Sequence, residues 1–454
     1  MNLQTRREFL KAVGIGATAL ALPEIHCSRD RKMRPNIIYI LADDLGYGDL
    51  GCYGQKLIRT PNLDRMAGEG LRFTDHYAGS TVCAPSRCSL LTGNHTGHTW
   101  IRGNREFYPE GQEPLPVGTT TLATLLQEVG YATGLIGKWG LGGPGSTGVP
   151  NRQGFDYFFG YLCQREAHNH YPQHLWRNHE RVELGGQQYS SDLFAREALD
   201  FIRRNRARPF FLYLAFTIPH FALQVPEIAP YADADWPPEM QRFAAMITRM
   251  DAHIGALMAL LKELGIDRHT LVMFSSDNGP HQEGGARPDF FNSSGGLRGI
   301  KRDLYEGGIR VPLIARWLGT VPAGEVTRQV SAGWDILPTF CEAAGRAAPA
   351  GIDGLSLMPT LRGHPEQQLH HEYLYWEFHE RGGSQAIRMG EWKAVRLEVS
   401  RNPVAAVELY DLKSDPHESR DVAEAHPEVT ARMRELFRSA RMDSELFALY
   451  QSAR

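Results

Sequence analysis

Cysteine is scarce in this chain: six among 454 residues, with no two of them in a Cys-x-x-Cys pair. Cys27 lies near the N-terminus, and Cys52, Cys83, Cys88, Cys163 and Cys341 are odd in number and irregular in spacing. A disulfide scaffold and a thiolate zinc site are both excluded, which leaves a cysteine over for chemistry. Excess charge is missing too. A formal net charge of -3 offers no field for nucleic acid, so any selectivity for anions has to be local. There is no repeat, no low-complexity tract and no stable membrane span, since the apolar run Ala12 to Pro23 is too short and too rich in Gly and Ala. What remains is 42% hydrophobic and 22% charged, ordinary for a globular chain that can bury one large core and a smaller domain.

The N-terminal segment stands apart. Thr5-Arg6-Arg7-Glu8-Phe9-Leu10-Lys11, ahead of a weakly apolar stretch, resembles a bacterial twin-arginine export signal. That resemblance implies the twin-arginine export machinery as a partner, delivery of an already folded protein, and a periplasmic or secreted location. Glu24-Ile25-His26 before Cys27 lacks the small residues of a lipidation site, so no lipid anchor is expected.

Beyond it, short apolar runs rich in β-branched residues read as buried strands. Pro35 to Ala42 ends at Asp43-Asp44, Tyr131 to Ile136 at Gly137-Lys138, Phe210 to Phe216 at Pro219-His220, and Thr270 to Phe274 at Asp277-Asn278-Gly279. Met240 to Leu264 has helical spacing and stops at Gly265. Strands alternating with helices predict an open α/β sheet flanked by helices, in which ligands bind beyond the carboxyl ends of the strands. Asp43, Asp44, Lys138, His220, Asp277 and Asn278 all fall there. After about residue 365 the pattern changes. Glu372 to Phe378, Ala386 to Met389, Trp392 to Leu397 and Val407 to Leu412 read as a small antiparallel C-terminal sheet.

The sharpest motif is Cys83-Ala84-Pro85-Ser86-Arg87, continuing as Cys88-Ser89-Leu90-Leu91-Thr92-Gly93. Pro85 suits a first helical turn, which puts Cys83 at a helix N-terminus where free N–H groups favour an anion. On helix chemistry alone, a buried cysteine before an unremarkable helix is an equal reading. Several carboxylates converging on one sheet edge repel each other unless a cation holds them, and oxygen ligands imply a hard ion.

Cys-x-Pro-Ser-Arg followed by Leu-Leu-Thr-Gly resembles the signature of the formylglycine-dependent sulfatases, arylsulfatase type, in the alkaline phosphatase superfamily. Asp43-Asp44, Gly137-Lys138-Trp139, Pro219-His220, Asp277-Asn278-Gly279, the segment from Leu297 through Lys301 to Pro312, and Leu409-Tyr410-Asp411-Leu412 recur in the family's order. The resemblance implies a large mixed sheet sandwiched by helices with a smaller C-terminal antiparallel-sheet domain. We accordingly divide the chain into signal and linker (1–32), catalytic domain (33–365) and C-terminal α+β subdomain (366–454). It also implies that a formylglycine-generating enzyme oxidises Cys83 to an aldehyde. Asp43, Asp44, Asp277 and Asn278, with the modified Cys83, would then bind one divalent cation, calcium by family habit and magnesium as the alternative. Lys138 and Lys301 become sulfate contacts, His220 lies near the leaving-group oxygen, and Arg87 steadies the formylglycine.

The implied reaction is hydrolysis of a sulfate monoester on an aryl group or a carbohydrate, with a sulfated galactose-type unit as one expectation. Cys163 to Trp176 is dense in histidine and aromatic residues, which fits either a packed loop or a sugar-binding wall. His168, His170 and Arg102 are the candidate substrate contacts, with Asn104 and Arg105 behind them. The chain departs from the family at Gly140, where most members carry a histidine that contacts the formylglycine. Two rivals stay open: a phosphonate monoester or phosphodiester hydrolase with the same nucleophile, and a non-catalytic glycan-binding relative.

Overall fold

The four apolar runs lie side by side as parallel strands at the centre of one sheet. Asn36–Asp43 pairs with Phe210–Pro219 on one side and Thr270–Ser276 on the other, and Ala132–Lys138 pairs with Phe210–Pro219. Every residue of the four is buried. Helices cover both faces of such a sheet, so its strands read as continuous apolar runs rather than alternating ones. The computed structural model describes residues 34–450, so the export-signal reading of residues 1–32 falls outside the described residues.

The full sheet has ten strands and is mixed. From edge to edge it runs Glu325–Thr327, Leu71–Phe73, Leu313–Arg316, Thr270–Ser276, Asn36–Asp43, Phe210–Pro219, Ala132–Lys138, Tyr157–Tyr161, His174–Arg177 and Glu180–Glu183. Leu313–Arg316 and the hairpin formed by His174–Arg177 and Glu180–Glu183 are antiparallel to their neighbours. Alternate residues of the central strand feed two cores. Ile38 and Ile40 pack with Leu212, Met246 and Ile254 on one face, while Ile37 and Tyr39 pack with Phe211, Leu91 and Phe340 on the other.

The helix Pro238–Glu263 is long and apolar enough, by composition, to cross a membrane. Here it is a core helix. Its buried Asp251 accepts hydrogen bonds from the backbone N–H groups of Asn62 (3.0 Å) and Leu63 (2.7 Å), which docks the helix Pro61–Gly68 against it. Gly137 and Gly160 let three backbones approach at the carboxyl edge. A Cβ on Gly137 would lie 1.8 Å from the Ala215 carbonyl, and one on Gly160 1.8 Å from the Gly137 carbonyl. That close approach fixes where Lys138 leaves its strand.

The C-terminal sheet is four antiparallel strands, Leu374–Phe378, Ser384–Met389, Trp392–Leu397 and Glu408–Asp411, with the helix Pro427–Ser439 packed on it. The fully buried Lys393 ties this sheet to the rest. Its Nζ lies 2.9 Å from Glu306 and 3.1 Å from Glu418, and the Glu306 N–H donates to Glu418 at 2.6 Å. Removing one partner of a buried ion network leaves uncompensated charge in low dielectric. Lys393→Ala is therefore expected to cost about 3–5 kcal/mol in urea unfolding; a loss below about 1 kcal/mol, typical of an exposed pair, would show that the network carries no weight.

Candidate active site

The carboxyl edge of the sheet gathers charge from five chain segments. Asp43 closes the central strand, and Asp44 follows it in the left-handed region at φ 65°. Asp277 and Asn278 follow the neighbouring strand Thr270–Ser276, and the Asp44 N–H donates to Asp277 Oδ1 at 3.1 Å. Lys138 ends its own strand, with Nζ 2.6 Å from Asp43 Oδ2 and 3.4 Å from Cys83 Sγ. Cys83 opens the helix Cys83–Thr92 after extended Val82, is 2% exposed, and lies 3.4 Å from Asp43 Oδ1.

Arg87, one turn on, is buried. It holds Asp277 Oδ2 through Nε (3.2 Å) and a terminal nitrogen (2.8 Å), and donates to the Lys138 carbonyl at 2.8 Å. It therefore braces the acidic pocket rather than the thiol itself. Lys301 arrives from the loop before Glu306, with Nζ 2.8 Å from Asp44, 3.0 Å from His220 Nε2 and 2.9 Å from Glu283. His220 Nδ1 sits 2.8 Å from the Phe221 carbonyl, so that nitrogen carries the ring proton and Nε2 accepts from Lys301. Burial, reinforced by Lys301, pushes the His220 pKa well down and keeps the ring neutral.

Burial raises Asp277 first and the Asp43 charge adds to it, bringing its carboxyl to about 7. Asp43 goes the other way: burial is the largest single influence and raises it, but Lys138, His220 and Arg87 together pull it well down. The Cys83 thiol is pushed up by burial, so as plain cysteine it is a poor nucleophile. The donor set fits a hard cation. Three carboxylates and an amide converge, and Asn278 Oδ1 is buried without a hydrogen-bond partner while its Nδ2 donates to Asp44 at 2.6 Å. An oxygen left over among carboxylates is what a cation ligand looks like before its ion is considered. Asp43, Asp44, Cys83 and His220 offer donor atoms within 4.8 Å of one another.

Three expected substrate contacts separate. His168 lies flat on His220, ring centroids 4.5 Å apart, with its pKa lowered to about 4 by burial and then by Lys138. His170 and Arg102 are corrections to the sequence reading. Both nitrogens of His170 are occupied, by Thr217 Oγ1 (3.1 Å) and the His220 carbonyl (3.0 Å), so this fully buried ring props His220 from behind. Arg102, 3% exposed, pairs with Glu377 of the C-terminal sheet at 2.9 Å and donates to the Met442 carbonyl. Both are engaged by protein partners away from the Cys83 pocket. Asn104 accepts from the Ala84 N–H, and Arg105 lies outside over Phe107. Sequence reasoning missed Glu283 and His281. Their only signal was their place a few residues beyond Asp277-Asn278, on the same edge.

Comparison with known proteins identifies the family. A family model described as Sulfatase matches residues 35–346, and one described as N-sulphoglucosamine sulphohydrolase, C-terminal, matches 300–443. Human arylsulfatase A is 34% identical, over 88% of this chain and 87% of its own length. The dog N-acetylgalactosamine-6-sulfatase is also 34% identical, over 85% and 74%. Among solved structures, Ps i-CgsB in complex with k-i-k-neocarrahexaose superposes with a TM-score of 0.80 at 29% identity, covering 92% of this chain and 96% of that one.

The donor set yields a test that needs no turnover. Calcium added to chelator-stripped protein is expected to raise Tm, with a gain of about 2.7 kcal/mol at a hundredfold excess over Kd. Asp277→Ala should abolish the shift and Asn278→Leu should shrink it. Stripped wild type that melts identically with and without calcium or magnesium would remove the cation from the account.

Proposed function

We propose that this chain, which belongs to the sulfatase family and is a sulfuric ester hydrolase, acts on sulfate monoesters of carbohydrates through a formylglycine made from Cys83. The observation that carries the reading is the position of Cys83: buried at a helix N-terminus, 3.4 Å from both Asp43 and Lys138. A raised, inaccessible thiol has no use there as a thiol. An aldehyde in its place, hydrated to two geminal hydroxyls, has one hydroxyl to attack sulfur and another to expel the product.

Asp43, Asp44, Asp277 and Asn278 are the residues that would hold a divalent cation, calcium by preference, with magnesium possible on the same oxygen donors. When bound, it neutralises charge on sulfuryl oxygens and favours the ionised form of a nearby hydroxyl. The chain's own residues supply the rest. Lys138 and Lys301 place positive charge beside Cys83 and His220, where a sulfate group enters. The attacking hydroxyl gives its proton to the carboxylate cluster as the S–O bond to residue 83 forms and the ester S–O bond breaks. Lys301, which holds the proton of the Lys301–His220 pair, passes it to the departing alkoxide. The second hydroxyl then returns a proton to Lys301, the C–O bond to sulfate breaks, and the aldehyde is restored and rehydrated by water, while the proton held by the carboxylates leaves to solvent and resets the site. Arg87 keeps Asp277 in place throughout.

The carbohydrate substrate rests on the relatives. Both the N-acetylgalactosamine-6-sulfatase and the neocarrahexaose complex are named for sugars, and the His168 face over His220 gives a ring or hydroxyl a surface beside the reacting groups. A sulfated galactose-type unit is the substrate we favour. We also propose maturation by a formylglycine-generating enzyme and twin-arginine export to the periplasm or exterior, on the Arg6-Arg7 segment. The boundary near residue 365 remains part of this proposal, just ahead of the C-terminal sheet.

Purified protein with formylglycine confirmed at position 83 by peptide mass should release free sulfate from sulfated galactose oligosaccharides. Cys83→Ala should release less than a thousandth as much, since removing the nucleophile of a covalent mechanism costs on the order of 10⁶-fold in kcat. Cleavage of matched phosphate esters in place of sulfate esters would assign the chain to the phosphonate and diester chemistry instead.

A further inference from the structure

Gln164 is buried, 2% exposed, and neither its Nε2 nor its Oε1 has a protein hydrogen-bond partner. Among the described residues no other buried amide side chain is left unpartnered at both ends. Burying an amide unpaired is costly, and native structures keep such groups where something else completes them. The surroundings of Gln164 say where that something would come from.

Its Nε2 occupies the space beside Gly140. A Cβ on residue 140 would lie 2.0 Å from it, and Gly140 has φ 84°. The carboxamide therefore stands where a side chain of residue 140 would stand, two residues beyond Lys138, whose Nζ touches Asp43 and Cys83. The backbone reinforces the placement. The Gly140 N–H donates to the Leu162 carbonyl at 3.0 Å and the Trp139 N–H to the Tyr161 carbonyl at 3.0 Å, so residues 138–140 and 161–164 run together past the carboxyl edge. Gln164 also opens the loop that, four residues on, lays His168 against His220. One end of that loop is thus a histidine on the proton-carrying pair, and the other is an amide with nothing to bind.

We propose that Gln164 is a catalytic-site residue whose carboxamide hydrogen-bonds a hydroxyl group present only during the reaction. The inference rests on the reaction proposed above. A hydroxyl is the matching partner, since it donates to Oε1 and accepts from Nε2–H, and an amide that neither gains nor loses a proton orients such a group without competing for it. Two hydroxyls qualify, one on the substrate sugar and one on the hydrated aldehyde at position 83. Each has the same chemistry and a different kinetic signature.

The experiment compares wild type with Gln164→Leu, of similar bulk and no polar atoms, in sulfate release, Tm and formylglycine content. Quenched reactions are digested to look for residue 83 carrying sulfate. Removing an unpartnered buried amide is neutral or stabilising, so Gln164→Leu is expected to keep or raise Tm while kcat/KM falls about tenfold or more, the scale of one active-site hydrogen bond. A rise in KM alone assigns the amide to the substrate hydroxyl. A fall in kcat with KM unchanged and sulfated residue 83 accumulating assigns it to the aldehyde hydrate. A variant as active as wild type, or one whose Tm drops in step with its activity, overturns the proposal by making Gln164 a packing residue. Wild type that carries the aldehyde yet releases no sulfate overturns the underlying reaction instead, and the parallel runs keep the two failures apart.

Discussion

Three buried carboxylates at the ends of neighbouring strands cannot stand together unless opposite charge is brought to them, and the fold supplies it from three directions. Arg87 comes from the helix that carries Cys83, Lys138 from a strand two places along the sheet, and Lys301 from a loop on the far side. Each cation is anchored by its own scaffold before it meets its carboxylate. The desolvation cost of six buried charges is large, and only the complete set offsets it. That is why residues so far apart in the chain act as one site.

The loop bearing Lys301 shows how far the constraint extends. It runs from Arg298, whose guanidinium lies 3.8 Å over the Tyr305 ring and donates to Tyr410 at 2.9 Å, to Glu306, which Lys393 holds. Tyr410 and Lys393 both belong to the C-terminal sheet. On the opposite flank, Arg102 and Arg441 converge on Glu377 of the same sheet. The smaller sheet thus fixes the position of a lysine in the catalytic edge without contributing a reacting atom.

Much of this could be read in the sequence because burial on both faces leaves an unmistakable trace. The runs around Ile37 and Phe211 announced central strands, and the residues that ended them gather at the candidate site. The edge strands left no such trace. Glu180–Glu183 and Glu325–Thr327 are three or four residues long and largely exposed, so their pattern is indistinguishable from a loop. Arg102 misled because a polar residue after the nucleophile helix looks the same whether it faces a ligand or a partner 275 positions away. His170 misled in the same way, its two partners, the Thr217 hydroxyl and the His220 carbonyl, lying in and just after a strand that the local sequence does not show. Gln164 gave no signal at all, since its meaning lies in a glycine twenty-four positions earlier.

The burial of Cys83 also sets a chronology. At 2% exposure beneath Lys138 and Asp43, the sulfur is out of reach of any macromolecular catalyst once the sheet has closed. On the reading proposed for Cys83, its oxidation would have to happen on a nascent or unfolded chain, so the fate of each molecule would be sealed at birth. Under that proposal, a chain that folds before it meets its modifier stays inert however well it is built, and the active fraction of a preparation would record a race between two rates rather than an equilibrium.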